Sequence, residues 1–260
     1  MKSTEINEHQ IINHLKIHKS ISIADAIRIT DSSESTVRRV FRRLEQTGDY
    51  LRYYGGIRLA SDDSADNDYY YEHTENRNIG AKLNIATLAL TLVQNNDEIY
   101  LDSGTTLARF AAKLAEALDK KELRDVHIFT NSLVNLNLLK HHNVTLIGGK
   151  FRELRKDFHG YTAEEAIKSL HFKKCFLGAD AYSTQDGFTT TDFSTARLNE
   201  LVLERSEEKY VLMDSSKFFL SSIVSYSRRI MPNKIVTEAY PDQSYPETAN
   251  LNIDILSCEK

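Results

Sequence analysis

Glu98-Ile-Tyr-Leu-Asp-Ser-Gly-Thr-Thr-Leu-Ala-Arg109 is the stretch from which the architecture follows. Ile99 to Leu101 is a short apolar run of the kind that forms a buried strand, and it stops at Asp102. Ser103, Gly104, Thr105 and Thr106 make a polar loop. Leu107, Phe110, Ala111, Leu114 and Leu118 then recur at helical spacing. A strand, a Ser/Gly/Thr loop and a helix in that order form an anion cradle. Backbone N–H groups and hydroxyls converge there with the positive end of the helix dipole behind them. The expected ligand is a small phosphorylated molecule.

Outward from this stretch, strand and helix alternate. Strands are expected at Ile99–Leu101, Val126–Phe129, Val144–Ile147, Lys174–Leu177, Tyr210–Met213 and Ile235–Val236. Helices are expected from Asn78 through Val93, well buried by its many apolar residues, and at Leu107–Leu118, Leu133–Lys140, Ala163–Leu170 and Thr195–Ser206. The order predicts an α/β domain with a mainly parallel, doubly wound sheet over residues 77–260. In such sheets ligands bind beyond the carboxyl ends of the strands. Those ends read Asp102-Ser-Gly-Thr-Thr106, Thr130-Asn-Ser132, Gly148-Gly-Lys-Phe-Arg152, Gly178-Ala-Asp180 and Asp214-Ser-Ser-Lys217. Ser103, Gly104, Thr105 and Thr106 suit a phosphate, with Lys217 and Arg152 as opposing cations. Asp102 and Asp180 are acceptors suited to sugar hydroxyls, and Thr130, Asn131, Gly149 and Gly178 border the same edge.

The first sixty residues differ in charge from the rest. They hold ten Lys and Arg against seven Asp and Glu, whereas the remainder holds 23 against 30. Ile11, Ile12, Leu15 and Ile17 predict a first helix of about three turns. Ser22 caps a second, and Ser33 caps a third in which Val37, Val40, Phe41 and Leu44 form one stripe. Ser35, Thr36, Arg38, Arg39, Arg42 and Arg43 lie on the other faces, as a helix in the DNA major groove requires. Gly48 is a helix stop. Tyr50 to Leu59 reads as a hairpin turning near Gly55-Gly56, with Arg52 and Arg58 in its arms. Three helices and a basic hairpin make a winged helix-turn-helix over residues 1–60, for which double-stranded DNA is the expected partner. Residues 61–76, beginning with the acidic run Ser61 to Asp68, read as a linker.

These residues resemble the DeoR family of bacterial transcriptional repressors. That family carries Ser-x-x-Thr-[Ile/Val]-Arg-Arg, Leu-Glu-x-x-Gly and Arg-x-x-Gly-Gly. The chain has Ser33-Glu-Ser-Thr-Val-Arg-Arg39, Leu44-Glu-Gln-Thr-Gly48 and Arg52-Tyr-Tyr-Gly-Gly56. It departs at Val40-Phe41, where the family has Asp-Leu, and at Ser32, where the family has an apolar residue. From about Arg77 to Ile255 the chain is similar to the family's effector domain, itself similar in fold to ribose-5-phosphate isomerase. The resemblance implies a sugar phosphate surrounded by the five loops. It also implies a repressor of a carbohydrate operon, released from operator DNA by that effector, with an activator on the same scaffold as the alternative. One winged helix buries too little surface for strong specificity, so a homodimer or homotetramer is expected.

The isomerases carry Asp-Gly-Ala-Asp-Glu and a Lys-Gly-Gly-Gly loop. Here Leu177-Gly-Ala-Asp-Ala181 and Thr189-Thr-Thr-Asp-Phe-Ser194 lack the second acid, the lysine and the glycines. A binding module is therefore expected rather than an enzyme, with no cofactor. Hydrophobic content is 41%, and no window reaches about 18 consecutive apolar residues. Cys175 and Cys258 form neither a disulfide framework nor a metal motif, so a reducing cytoplasm is expected. His141, His142, His127 and His159 have no partner at ligand spacing. The first two are expected in a surface turn, His127 in the core and His159 near the pocket edge.

Overall fold

The computed structural model describes residues 3–18, 20–47, 49–53, 56–59, 71–241, 248 and 251–259, in two units, Met1–Asp66 and Asn67–Lys260. In the first unit, helices α1 (Ser3–His18), α2 (Ile23–Thr30) and α3 (Glu34–Glu45) accompany strands β1 (Ser20–Ser22), β2 (Tyr50–Tyr53) and β3 (Gly56–Leu59). Ser22 and Ser33 cap α2 and α3 as expected, accepting from the Asp25 and Thr36 N–H groups. Val37, Val40, Phe41 and Leu44 are buried with Ile11, Leu15, Ile21, Ala26 and Ile57 in one core. The hairpin pairs β2 with β3, and β1 adds a third strand antiparallel to β3. That extra strand was not foreseen, and α1 starts earlier than Ile11. Gly48, Gly55, the acidic run from Ser61 to Asp68 and the following Tyr69 and Tyr70 lie outside the described residues, as do the side chains of Arg52 and Arg58.

The second unit opens with α4 (Tyr71–Glu75) and α5 (Ile79–Leu90), then β4 (Glu98–Leu101), α6 (Thr105–Asp119), β5 (His127–Thr130), α7 (Leu133–Leu139) and β6 (Val144–Leu146). A hairpin of β7 (Lys150–Arg152) and β8 (Asp157–His159) leads to α8 (Tyr161–Lys168) and β9 (Phe172–Gly178). There follow β10 (Ala181–Ser183), β11 (Gly187–Thr190), α9 (Phe193–Glu204), β12 (Ser206–Leu212), a 3-10 turn at Ser215–Lys217, β13 (Val224–Ser225), β14 (Lys234–Ala239) and β15 (Asp254–Glu259). Seven strands form one sheet in the order β15-β14-β12-β9-β4-β5-β6, every pair parallel. A small antiparallel sheet, β10-β11-β13, sits beside it.

Alternation along the strands builds two cores. Ile99, Leu101, Phe176 and Leu212 pack on one face with Ile85, Ala89, Phe110 and Leu114 of α5 and α6. Tyr100, Cys175, Leu177 and Val211 pack on the other with Ala163, Ile167, Leu201 and Val202 of α8 and α9. This is the doubly wound sheet, and all six expected strands are in it. The chain moves outward from β4 to β5 and β6, then restarts on the other side of β4 with β9. Winding therefore reverses between β4 and β9, the kind of position at which sheets of this type bind ligands.

Three expectations need correction. α5 is buried on one face only, through Lys82, Ile85, Ala86 and Ala89, while Ile79 and Leu83 are exposed. Residues 71–75, expected as linker, are helical because Tyr71 is buried and its N–H donates to the Leu154 carbonyl. His127 is half-buried at the amino end of β5, its Nε2 2.9 Å from Thr145 Oγ1, rather than in the core.

The amino ends of β4 and β9 are joined by an ion pair. Lys174 Nζ lies 2.7 Å from Asp97 Oδ2, and both side chains are buried. Burial alone would raise the Asp97 carboxyl, but Lys174, Lys173 and the Gln94 N–H outweigh it and hold it below its ordinary value. Removing one partner of such a pair leaves a buried charge uncompensated. Asp97→Asn is expected to destabilise the protein by about 3 kcal/mol or more in urea denaturation near neutral pH.

Candidate anion site and nucleic-acid interface

Asp102 ends β4 and determines the path of the cradle. Its Oδ1 accepts from the Ser103 N–H at 2.7 Å, and its Oδ2 from the Gly178 N–H at 3.1 Å and from Asn199 Nδ2 at 3.3 Å. The carboxylate thus ties β4 to β9 across the switch point and faces protein donors. Burial pushes it up to about 6, and the Gly178 and Ser103 N–H groups limit the rise. Gly104 follows at φ +112, a backbone conformation that favours glycine, and begins α6 with no side-chain cap. Thr105 and Thr106 are buried in that first turn. The amino end of a 15-residue helix is therefore presented at the switch point.

Cations gather beside it. Lys82 of α5 is buried, and its ammonium is pushed down to about 8, by desolvation first and then by Lys217, with Arg109 and Arg77 adding to the effect and Asp214 opposing it. Lys217 donates to the Ala179 carbonyl at 2.5 Å, just beyond β9. Its turn is fixed by Glu238, which accepts from the Ser215 N–H and Oγ. The sequence reading named Lys217 and missed Lys82. The available signal was a lysine on the stripe that also carries Ile85, Ala86 and Ala89.

Arg152 does not join this group. Its Nε and Nη2 each lie 2.8 Å from Asp157, Nη1 bonds Asp192 and Nη2 donates to Thr195 Oγ1 at 2.9 Å. Two carboxylates already neutralise it, so its expected role as phosphate counter-charge is corrected to a brace. Asp157 Oδ2 also accepts from Ser103 Oγ at 2.9 Å, which fastens the β7–β8 hairpin to the cradle. Asp192 caps α9 by accepting from the Thr195 N–H.

Other expected residues are present with different work. Thr130 is buried, and its Oγ1 accepts from the Ser132 N–H and Asn135 Nδ2. Asn131 is buried and donates to the Phe158 carbonyl. A Cβ at Gly149 would lie 2.4 Å from the His159 carbonyl oxygen, so that glycine serves close strand packing. Asp180 Oδ2 accepts from the Thr190 hydroxyl and the Thr191 N–H and hydroxyl. Asn131, Asn135 and Asn199, whose Nδ2 groups are all engaged, each keep a buried Oδ1 without a donor among the described residues. Burial lowers His159 from its ordinary value. His142 pairs with Asp119 at 3.3 Å, and burial pushes the Cys175 thiol up to about 12. Among the described residues no group of three or more His, Cys, Asp or Glu could hold a metal ion, and no helix is long and apolar enough to cross a membrane.

In the first unit, α3 buries its apolar stripe and leaves Ser35, Arg38, Arg39, Arg42 and Arg43 exposed. Ser33 Oγ lies 3.0 Å from both the Ser35 and Thr36 hydroxyls at the helix start. Arg38 pairs with Glu34 one turn earlier, and Arg43 reaches Glu8 of α1 at 2.8 Å. Arg43 is thus directed to its own unit, whereas Arg39 and Arg42 show no ion pair among the described residues.

The model of the DeoR C terminal sensor domain matches residues 77–239, and that of the DeoR-like helix-turn-helix domain matches residues 8–63. The chain belongs to the DeoR family of transcriptional regulators. It is 30% identical over 258 residues to a putative aga operon transcriptional repressor of Escherichia coli O157:H7, covering 97% of this chain and 93% of that one. It is 32% identical over 212 residues to the lactose phosphotransferase system repressor of Lactococcus lactis subsp. lactis, covering 80% and 81%. Among solved structures, ribose 5-phosphate isomerase A from Methanocaldococcus jannaschii aligns at 21% identity and TM-score 0.40 over 53% of each chain. This DeoR-family protein is a DNA-binding transcriptional regulator and not an enzyme.

In this DeoR-family chain, Arg39→Ala or Arg42→Ala is expected to weaken operator binding by about tenfold or more, at 1–3 kcal/mol per lost contact. Arg43→Ala is expected to change it less. Gel shifts at fixed salt separate the three, and an equal loss in all would contradict the assignment.

Proposed function

We propose that the chain represses a carbohydrate-utilisation operon and leaves its operator when a phosphorylated sugar occupies the cradle between β4 and β9. The observation that carries this reading is the uncapped amino end of α6 beside buried Lys82 and half-buried Lys217. A helix start with no side-chain cap, with two ammonium groups near it, suits a phosphoryl dianion. Asp180 and the unmet oxygens of Asn131, Asn135 and Asn199 are acceptors, the complement of sugar hydroxyls. The effector is a ligand and not a cofactor. Release of DNA requires that the phosphosugar bind one arrangement of the regulator more tightly than another. A single winged helix buries limited DNA surface, so the regulator works as a homodimer or homotetramer. With two cysteines and a nucleic-acid target, its place is the cytoplasm.

The lysine gives the pH dependence its sign. Below about 8 Lys82 is charged at a cost to the folded protein, and a bound dianion offsets that cost. Above that value the ammonium is lost, and with it the attraction. The phosphate itself becomes a dianion only above about 6. Stabilisation by phosphosugars in thermal-shift measurements is therefore expected to peak between roughly 6 and 8 and to decline on the alkaline side. Lys82→Met and Lys217→Ala are each expected to reduce it strongly, with Lys82→Met also abolishing the alkaline decline. If no phosphosugar raises the wild-type midpoint, the effector assignment fails.

A further inference from the structure

The helix α4 is the first described element after the segment that follows the DNA-binding unit, and it is fastened by groups of the anion site. Lys82 Nζ donates to the Thr74 carbonyl at 2.5 Å. Arg109 Nη2 lies 4.0 Å from Glu75 Oε1. Lys82 and Arg109 are two of the cations gathered beside the start of α6. Further anchors come from the β7–β8 turn, where the Leu154 carbonyl accepts from the Tyr71 N–H at 2.9 Å and Lys156 pairs with Glu72 at 3.2 Å. The base of that hairpin is held to Ser103 of the cradle through Asp157.

We propose that α4 is the built-in occupant of the cation cluster and that a phosphoryl group displaces it. This rests on the anion-site reading above. A carbonyl and one carboxylate now share Lys82 and Arg109. A phosphoryl dianion is a stronger acceptor for an ammonium than a neutral carbonyl, because both partners then carry charge. It also repels Glu75 and Glu72, the two acidic residues of α4. Binding therefore draws the Lys82 ammonium off Thr74 and weakens the pull of Arg109 on Glu75. The loosened helix lies at the start of the effector domain, so the chain leading back to the winged helix loses its anchor. Effector occupancy becomes a change in the tether of the DNA-binding unit.

Linkage makes the effect reciprocal: if phosphate loosens α4, then loosening α4 tightens phosphate. The test uses the full-length protein with inorganic phosphate as the probe, read by thermal shift and by hydrogen exchange at the amides of residues 71–77. Phosphate is expected to stabilise the wild type globally while speeding exchange at those amides by about fivefold or more. Glu75→Gln, at a partly exposed position, is expected to speed their exchange without phosphate and to tighten phosphate binding several-fold. Lys82→Met is expected to give fast α4 exchange that phosphate no longer alters. Stabilisation by phosphate with unchanged or slowed exchange at 71–77 would overturn the proposal alone, as would unchanged phosphate affinity in Glu75→Gln. No stabilisation of the wild type would remove the anion site and the proposal with it.

Discussion

The carboxylate of Asp102 is the point on which the effector domain depends. It sits where winding reverses between β4 and β9, and it accepts from a backbone N–H on each side of that break. A carboxylate so deeply buried is expensive to ionise, which is why it is raised to about 6. Three donors offset that cost. What results is a fixed exit angle from β4, which lets Gly104 turn the chain and start α6 at the switch point. Below the same junction, Asp97 and Lys174 lock the opposite ends of the two strands. The sheet is thus clamped at both ends of its central pair, beside the proposed anion site.

Two charge systems surround this junction, and they differ in balance. Around Arg152, carboxylates from Asp157 and Asp192 outnumber the guanidinium and hold the β7–β8 hairpin to α9 and the cradle. Around Lys82, cations outnumber acids, and burial first and those cations second make the lysine less basic. The first system is internally satisfied and acts as scaffold. The second is charge-frustrated, and an added anion relieves it. This imbalance, more than the hydroxyls of the loop, is what supports the phosphoryl site proposed above.

Much of this was legible in the sequence because period and punctuation encode it locally. The unbroken apolar run from Ile99 to Leu101 marked β4 as a buried strand. The stripe from Val37 to Leu44 separated the buried side of α3 from its arginines. Strand ends rich in Gly, Ser and Asp marked the ligand edge of the sheet. What escaped were roles decided by distant partners. Nothing local says that Arg152 meets Asp157 and Asp192, or that Gly149 is small because the His159 carbonyl passes over it. Lys82 was hidden inside an apolar helix pattern, and α4 inside a linker composition, because each is stabilised by the other. β15 has no strong alternation, and its parallel pairing with β14 supplies what propensity does not.

The central claim is that phosphate recognition at the cradle controls DNA occupancy. Fluorescence anisotropy of labelled operator DNA bound to the full-length protein tests it most directly, with phosphorylated sugars titrated beside their unphosphorylated counterparts. At least one phosphosugar should release the DNA from wild type, its unphosphorylated form should not, and Lys82→Met should be unresponsive. Equal release by the unphosphorylated sugar, or an undiminished response in Lys82→Met, would contradict the account.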